Sequence, residues 1–481
     1  MTLPPLWQHT ATDLAALIQG GAVSALDAVS ASVERMHAEN PALNAVVVDL
    51  ADQALERARD LDAESALVGP LHGVPLTIKI NVDQAGQATS NGLPALKDWI
   101  APQDAPLVRH LQNAGAVVIG RTNTPEFSFR ADTDNPLFGR THNPWGRHLS
   151  AGGSSGGAGA AVVSGIGALA HGNDIGGSLR FPASANGAVT VKPGVGRVPA
   201  WNPSQALERG MLAQAMSAQG LITRSARDLH LAMPVMVASD PGDPFHAPLP
   251  WRGPKLDAPI KVGFTKNTLE FPLHPEVSAA LDDARAALED AGYVVAEIDP
   301  PALPEMAEMG FRALLTETQA LVGDDIQRVG SKTVRAIFDE YFRQFPPYDS
   351  TEYLRVIAAR TGVARQWSHL LAETPLVLTP FLPQPFFTAG RDAEGADGVR
   401  EALASAFWST GMNFLGLPAG NVPARLAALD TGPQPIGVQI VGQRWREDLI
   451  VDAMIAIEDR VGMMAPRLWA QQSASQSDAQ S

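Results

Sequence analysis

The Gly- and Ser-rich stretch from Leu149 to Arg197 constrains this chain more than any other. Leu149 to Ala170 is uncharged, rich in Gly and Ser, and long enough in principle to span a bilayer. It lacks the sustained apolar run that a span requires, so a membrane helix is excluded. Composition alone favours a flexible linker. Against that, Ala158 to Val163 reads as a small-residue helix, and Ala168–Ala170 and Val189–Lys192 read as ordered segments. The stretch is therefore expected to pack, with its glycines admitting backbone into places where a side chain would not fit.

The surroundings suit a packed core. Short apolar runs at Val74–Ile80 and Ala116–Gly120 flank a helical pattern near Leu107–Asn113, and this alternation predicts α/β architecture with a mostly parallel sheet. Upstream, Thr12–Gln19 reads as a helix closed by Gly20-Gly21. A capping box at Ser24–Asp27 opens a second helix (Leu26, Val29, Val33, Met36), which Pro41 is expected to stop. Asn44–Leu50 reads as a strand and Ala51–Leu61 as a helix. Five prolines between 239 and 258 mark a surface connection, followed by a strand at Pro259–Phe264 and a helix at Pro275–Ala291. Residues 302–372 read as mainly helical, and Leu376–Pro380, Val438–Val441 and Glu447–Glu458 return to α/β texture. The expected organisation is an N-terminal helical segment packed on the core (1–65), a catalytic core (66–300), a helical lobe near the active site (301–372), a C-terminal part of the core sheet (373–465) and a disordered tail (466–481).

Function classes narrow quickly. The 481 residues are 45% apolar and 18% charged, as in an ordinary soluble globular protein with a sizeable core. A net charge of −15, with no Lys/Arg cluster, argues against a nucleic-acid partner. The absence of cysteine excludes disulfides, Cys-ligated zinc, iron–sulfur clusters and thiol nucleophiles, and no HExxH spacing occurs. Met1–Trp7 has neither a basic nor an apolar signal region. The expectation is a cytoplasmic enzyme that uses no metal or cofactor, has no membrane partner, and acts on a small molecule. A homodimer is left open.

Three side chains carry the chemistry. Lys79 lies in the apolar run Gly73–Ile80, facing opposite to Leu76, Ile78 and Ile80 on a strand. Burial there would lower its pKa and make it a general base, whereas on an edge strand the same lysine would only discourage aggregation. Gly152-Gly153-Ser154-Ser155-Gly156 satisfies G-x-S-x-G, but the preceding Asn143–His148 makes a poor strand, so a nucleophile elbow lacks its context. Gly176-Gly177-Ser178 lets backbone amides converge on one point, as an oxyanion hole requires; a plain glycine turn with a capping serine is the alternative.

The combination resembles the amidase signature family of serine hydrolases. Gly-Gly-Ser-Ser-Gly-Gly at 152–157, Asp-x-Gly-Gly-Ser-x-Arg-x-Pro at 174–182 and Lys192-Pro193 carry the likeness, as do Gly73-Val74-Pro75, Gly120–Asn123, Asn143-Pro144-Trp145, Gly220–Ser225 and Pro435–Gly442. The resemblance implies a large central mixed β-sheet covered by helices on both faces. It implies Ser178 as nucleophile, Ser154 as the relay serine after a cis peptide, and Lys79 as base. The amides of Ile175, Gly176, Gly177 and Ser178 would form the oxyanion hole, with Ser155, Asn173, Asp174 and Arg180 in support. The reaction is hydrolysis of a carboxamide through an acyl-enzyme, a route that esterases and urethanases of this fold share. Phe127, Ser128 and Phe129 stand where relatives place part of the acyl pocket, which favours a bulky or aryl amide; Trp201 and the stretch 305–345 are candidates for its other side. The family often has Asp after the lysine and Thr five residues before the nucleophile; here Ile80 and Asn173 stand instead. A glutamine-hydrolysing A-type subunit of a tRNA-dependent amidotransferase is the rival, although its usual Gln is replaced by Phe181. A non-catalytic binding protein on the same fold is a further alternative.

Overall fold

The computed structural model describes residues 4–480, with side chains described to residue 474; Met1–Leu3 and Ser481 lie outside the described residues. Its strands in chain order are β1 (Val46–Asp49), β2 (Pro75–Lys79), β3 (Val117–Thr122), β4 (Leu169–Asp174), β5 (Val189–Lys192), β6 (Ala218–Thr223), β7 (Lys261–Phe264), β8 (Val294–Glu297), β9 (Leu376–Pro380), β10 (Ala419–Leu429) and β11 (Gly432–Gly442). Among the described residues they form one sheet in the order β1-β3-β2-β4-β6-β5-β10-β11-β9-β7-β8.

The expectation of a mostly parallel sheet is corrected. Six neighbouring pairs are antiparallel and four are parallel. The β10–β11 hairpin has only Asp430 and Thr431 between its strands, and so short a connection permits only antiparallel pairing. The mixed sheet agrees with the architecture that the family resemblance implies.

Strand alternation divides the core. Leu76 and Ile78 of β2, Val189 and Val191 of β5, and Val438 and Ile440 of β11 share one apolar cluster with helices Pro106–Asn113, Ala226–Met236, Pro275–Asp290 and Glu447–Val461. Thr77 and Lys79 take the opposite parity and face the other layer. There the small-residue helix Gly156–Val163 is buried along its whole length and packs on Arg180–Asn186, from which Arg180 reaches the Ser409 carbonyl of helix Phe407–Leu415. The linker reading of 149–197 is thereby set aside.

Two local expectations differ from what forms. The second helix runs Ala25–Leu43 through Pro41 and ends at Asn44 in the left-handed region. Pro41 lies in the last turn, where little ladder remains to lose, and the Asn40 carboxamide accepts from the amides of Ala45 and Val46. The tail is not disordered where it is described: Ala465–Gln480 is helical, and Leu468 and Trp469 are buried. Trp469 meets Trp7 edge-on at 5.0 Å and donates to the Val163 carbonyl at 2.8 Å. Met464, Ala465, Leu468 and Trp469, four residues apart in pairs, join one buried apolar cluster and dock this otherwise polar helix. The strand expected at Asn44–Leu50 forms as β1 and lies at the sheet edge beside β3.

Candidate active site

Lys79 ends β2, an interior strand between β3 and β4, so the edge-strand reading fails. Its side chain is fully buried. Burial holds its pKa well below the ordinary lysine value, and the nearby charge of Asp174 offsets only part of that effect. β4 runs parallel to β2, with Leu76 opposite Leu169 and Thr77 opposite Ala170, so the C-terminal ends of both strands lie on the same side of the sheet. Lys79 Nζ therefore lies 2.7 Å from Ser154 Oγ, 3.0 Å from Ser155 Oγ and 2.8 Å from Asn173 Oδ1. The Gly153–Ser154 peptide is cis. A Cβ on Gly153 would fall on the Arg130 carbonyl oxygen, so only glycine fits. No strand precedes this turn, and helix Gly156–Val163 follows it, which disposes of the nucleophile elbow.

The second glycine turn is braced from below. Arg180 donates to both carboxylate oxygens of Asp174 at 3.0 Å, with both side chains fully buried, and also binds Gln439 at 2.7 Å and Asn413. Burial pushes the Asp174 pKa up, but the charge and hydrogen bonds of Arg180, with Lys192 and Asn413, outweigh it, and the net shift is downward. Asp174 stays ionised and receives the Gly177 amide at 2.7 Å and the Leu179 amide at 3.2 Å. This corrects one expectation. The single N–H of Gly177 is already committed, whereas the amides of Ile175, Gly176 and Ser178 meet no acceptor among the described residues. Ser409 Oγ donates to the Gly176 carbonyl at 3.0 Å and fixes that peptide's orientation. The turns are joined by the Ser155 amide donating to the Ser178 carbonyl at 3.3 Å.

Ser178 is half-buried and opens, with Gly153 and Gly176, onto an apolar slot walled by Phe129, Ile175, Phe181, Phe311, Leu314 and Leu403. Phe129 belongs both to this wall and to an aromatic cluster, 5.2 Å from the Phe338 ring and 6.5 Å from Phe311. Ser128 also lines the slot, and Phe127 does not; it packs against a cluster from helices Leu303–Val329 and Lys332–Gln344. Trp201 is turned away, donating to Asp240 at 3.0 Å. The one charged side chain in the wall, Arg130, is held in a buried two-pronged pair with Asp392 at 3.0 and 2.9 Å. The walls from Phe181, Leu403 and the Ile175 side chain escape sequence reasoning; Phe311 and Leu314 fall within the stretch 305–345. The signal for Phe181 is its place directly after Ser178-Leu179-Arg180, an aromatic side chain beside the glycine turn.

A buried amine between two serines, a braced glycine turn and an apolar slot together suit the hydrolysis of an amide. The sequence model of the Amidase family matches residues 27–451, and the chain belongs to that family. It is an amidase, acting on carbon–nitrogen bonds other than peptide bonds. It is 46% identical to the indoleacetamide hydrolase of Bradyrhizobium diazoefficiens, over 97% of this chain and 89% of that one. It is 32% identical to the A-type subunit of the glutamyl-tRNA(Gln) amidotransferase of Moorella thermoacetica, over 94% and 96%. The crystal structure of a bacterial aryl acylamidase superposes with a TM-score of 0.81 at 27% identity, covering 97% of this chain and 99% of that one. No helix among the described residues is long and apolar enough to cross a membrane.

Proposed function

We propose that this amidase hydrolyses a primary arylacetamide, of the indoleacetamide type, to the arylacetic acid and ammonia through an acyl-enzyme on Ser178. The observation that carries the reading is the fully buried Lys79 amine 2.7 Å from Ser154 Oγ, beside a slot lined by aromatic and aliphatic side chains. The likeness to an indoleacetamide hydrolase and to an aryl acylamidase supports it.

A serine hydroxyl is a weak nucleophile without a base. Neutral Lys79 takes a proton from Ser154 as Ser154 takes one from Ser178. Ser178 Oγ bonds to the amide carbon, and the carbonyl oxygen becomes an oxyanion held by the free amides of the 175–178 turn. Each such donor is worth about 3–4 kcal/mol of barrier. As the carbon–nitrogen bond breaks, Ser154 returns a proton to nitrogen and Lys79 reprotonates Ser154, so ammonia leaves. Water then attacks the ester by the same relay and releases the acid. The enzyme is read as cytoplasmic and without a nucleic-acid partner, in keeping with its net charge of −15.

The test is release of acid and ammonia from indole-3-acetamide, acetamide and glutamine by the wild type and by Ser178→Ala. The expected result is fast turnover of the indole amide, little of the other two, and none by the variant. Equal turnover of acetamide and indole-3-acetamide overturns the aryl assignment; an active Ser178→Ala overturns the nucleophile.

A further inference from the structure

A neutral primary amine has two N–H donors and one lone pair, and Lys79 has three oxygen neighbours within 3.0 Å. Which oxygen faces the lone pair decides whether Lys79 can act as a base toward Ser154. Asn173 Oδ1, at 2.8 Å, only accepts and so must take an N–H. Ser155 Oγ turns its own hydrogen toward the Asn173 carbonyl at 3.4 Å and accepts the second N–H. The lone pair is left for Ser154.

The lone pair keeps this aim only while the carboxamide of Asn173 does not turn over. A second carboxamide locks it. Asn173 Nδ2 donates to Asn81 Oδ1 at 2.9 Å, and Asn81 Nδ2 donates back to Asn173 Oδ1 at 3.2 Å and to Ser128 Oγ at 2.9 Å. Ser128 Oγ is free to accept because its hydrogen goes to Asn91 Oδ1 at 2.6 Å. Were Asn173 flipped, its Nδ2 would present hydrogen to the lone pair and draw it from Ser154. We infer that Asn81 and Asn173 are positioning residues for the hydrolysis, a reciprocal amide clasp that aims the Lys79 lone pair at the relay serine and ties that aim, through Ser128, to the wall of the substrate slot. The inference rests on the proposed Ser178 mechanism.

The other charged or titratable groups around Lys79 leave room for such a device. Asp174 is paired with Arg180, Arg121 of β3 reaches the Lys79 carbonyl, and His171 of β4 is held neutral by burial, with a pKa pushed down to about 3.

The test is kcat, KM and the pH profile of Asn173→Ala, Asn173→Asp and Asn81→Ala on indole-3-acetamide, with Ser178→Ala alongside. Asn173→Ala is expected to lower kcat about tenfold or more with KM nearly unchanged, since only proton transfer is disturbed. Asn173→Asp keeps an acceptor but adds a charge that favours the ammonium, so the acidic limb of kcat/KM moves up by about 1–3 pH units. Asn81→Ala is expected to lower kcat, and the double variant Asn81→Ala/Asn173→Ala to lose no more than Asn173→Ala alone, because the two act as one unit. A wild-type kcat for Asn173→Ala, an unmoved limb for Asn173→Asp, or fully multiplicative losses each overturn the clasp. An active Ser178→Ala instead removes the mechanism beneath it, so the two failures are told apart.

Discussion

The two glycine–serine turns are near copies in composition and opposites in setting. Around Gly152–Ser155 the serine side chains are sealed: Ser154 is 1% exposed and Ser155 not at all. Around Asp174–Ser178 the backbone is braced from beneath by Arg180, while Ser178 and the Gly176 amide meet the open slot. The contrast teaches that one motif style serves two needs. Proton transfer wants a dry, fixed environment that keeps an amine uncharged, whereas attack on a substrate wants an accessible oxygen beside rigid donors.

The largest test of that division is Ser178→Ala against its neighbour in the sealed turn. Both Ser178→Ala and Ser154→Ala are expected to lose about 10^4-fold or more in kcat, since members of one relay fail together; thermal denaturation checks that the folds survive. A Ser154→Ala enzyme retaining wild-type turnover would erase the distinction. Next comes the brace. Arg180→Met leaves a fully buried carboxylate without its cation and is expected to cost about 3–5 kcal/mol in urea unfolding. A third variant addresses only the open side. Phe129→Ala is expected to cost about 1–3 kcal/mol in kcat/KM for aryl amides through lost apolar burial, with acetamide turnover unchanged. The mildest effect is graded with pH. In the proposed relay Lys79 works uncharged, and burial lowers its pKa, so kcat/KM is expected to stay flat from alkaline pH to well below the ordinary lysine range. It then falls about tenfold per unit as the ammonium forms. An acidic limb at the ordinary lysine value would mean the amine is solvated.

The sealed turn and its lysine were legible because they depend on local pattern: a lysine inside an apolar strand, and glycines where backbone passes close to backbone. The sheet was less so. β10 contains Pro423 and a run of alanines, a poor strand by propensity, and it forms because Pro423 adjoins a register shift that relieves it of a ladder hydrogen bond. Asn81 sits two residues past Lys79, yet its partnership with Asn173 spans 92 positions in sequence and arises only because β2 and β4 end side by side. The role of Gly177 was hidden for a related reason. Consecutive glycines show that amides can converge, but not which one a nearby carboxylate has already claimed. The slot was legible only in part, because its far wall comes from Phe311, Leu314 and Leu403, brought in by helical packing rather than by any repeated pattern.

That far wall has a consequence for inheritance. The reactive groups are carried by strand ends and glycine turns between residues 79 and 180, whereas Phe311 and Leu314 ride on the separate helix Leu303–Val329. The near wall, Phe129 and Phe181, is thus tied to the reactive stretch, whereas the far wall is encoded separately from it. Substitutions on that helix can therefore reshape one side of the slot while the strand end and turn that carry Lys79 and Ser178 stay as they are.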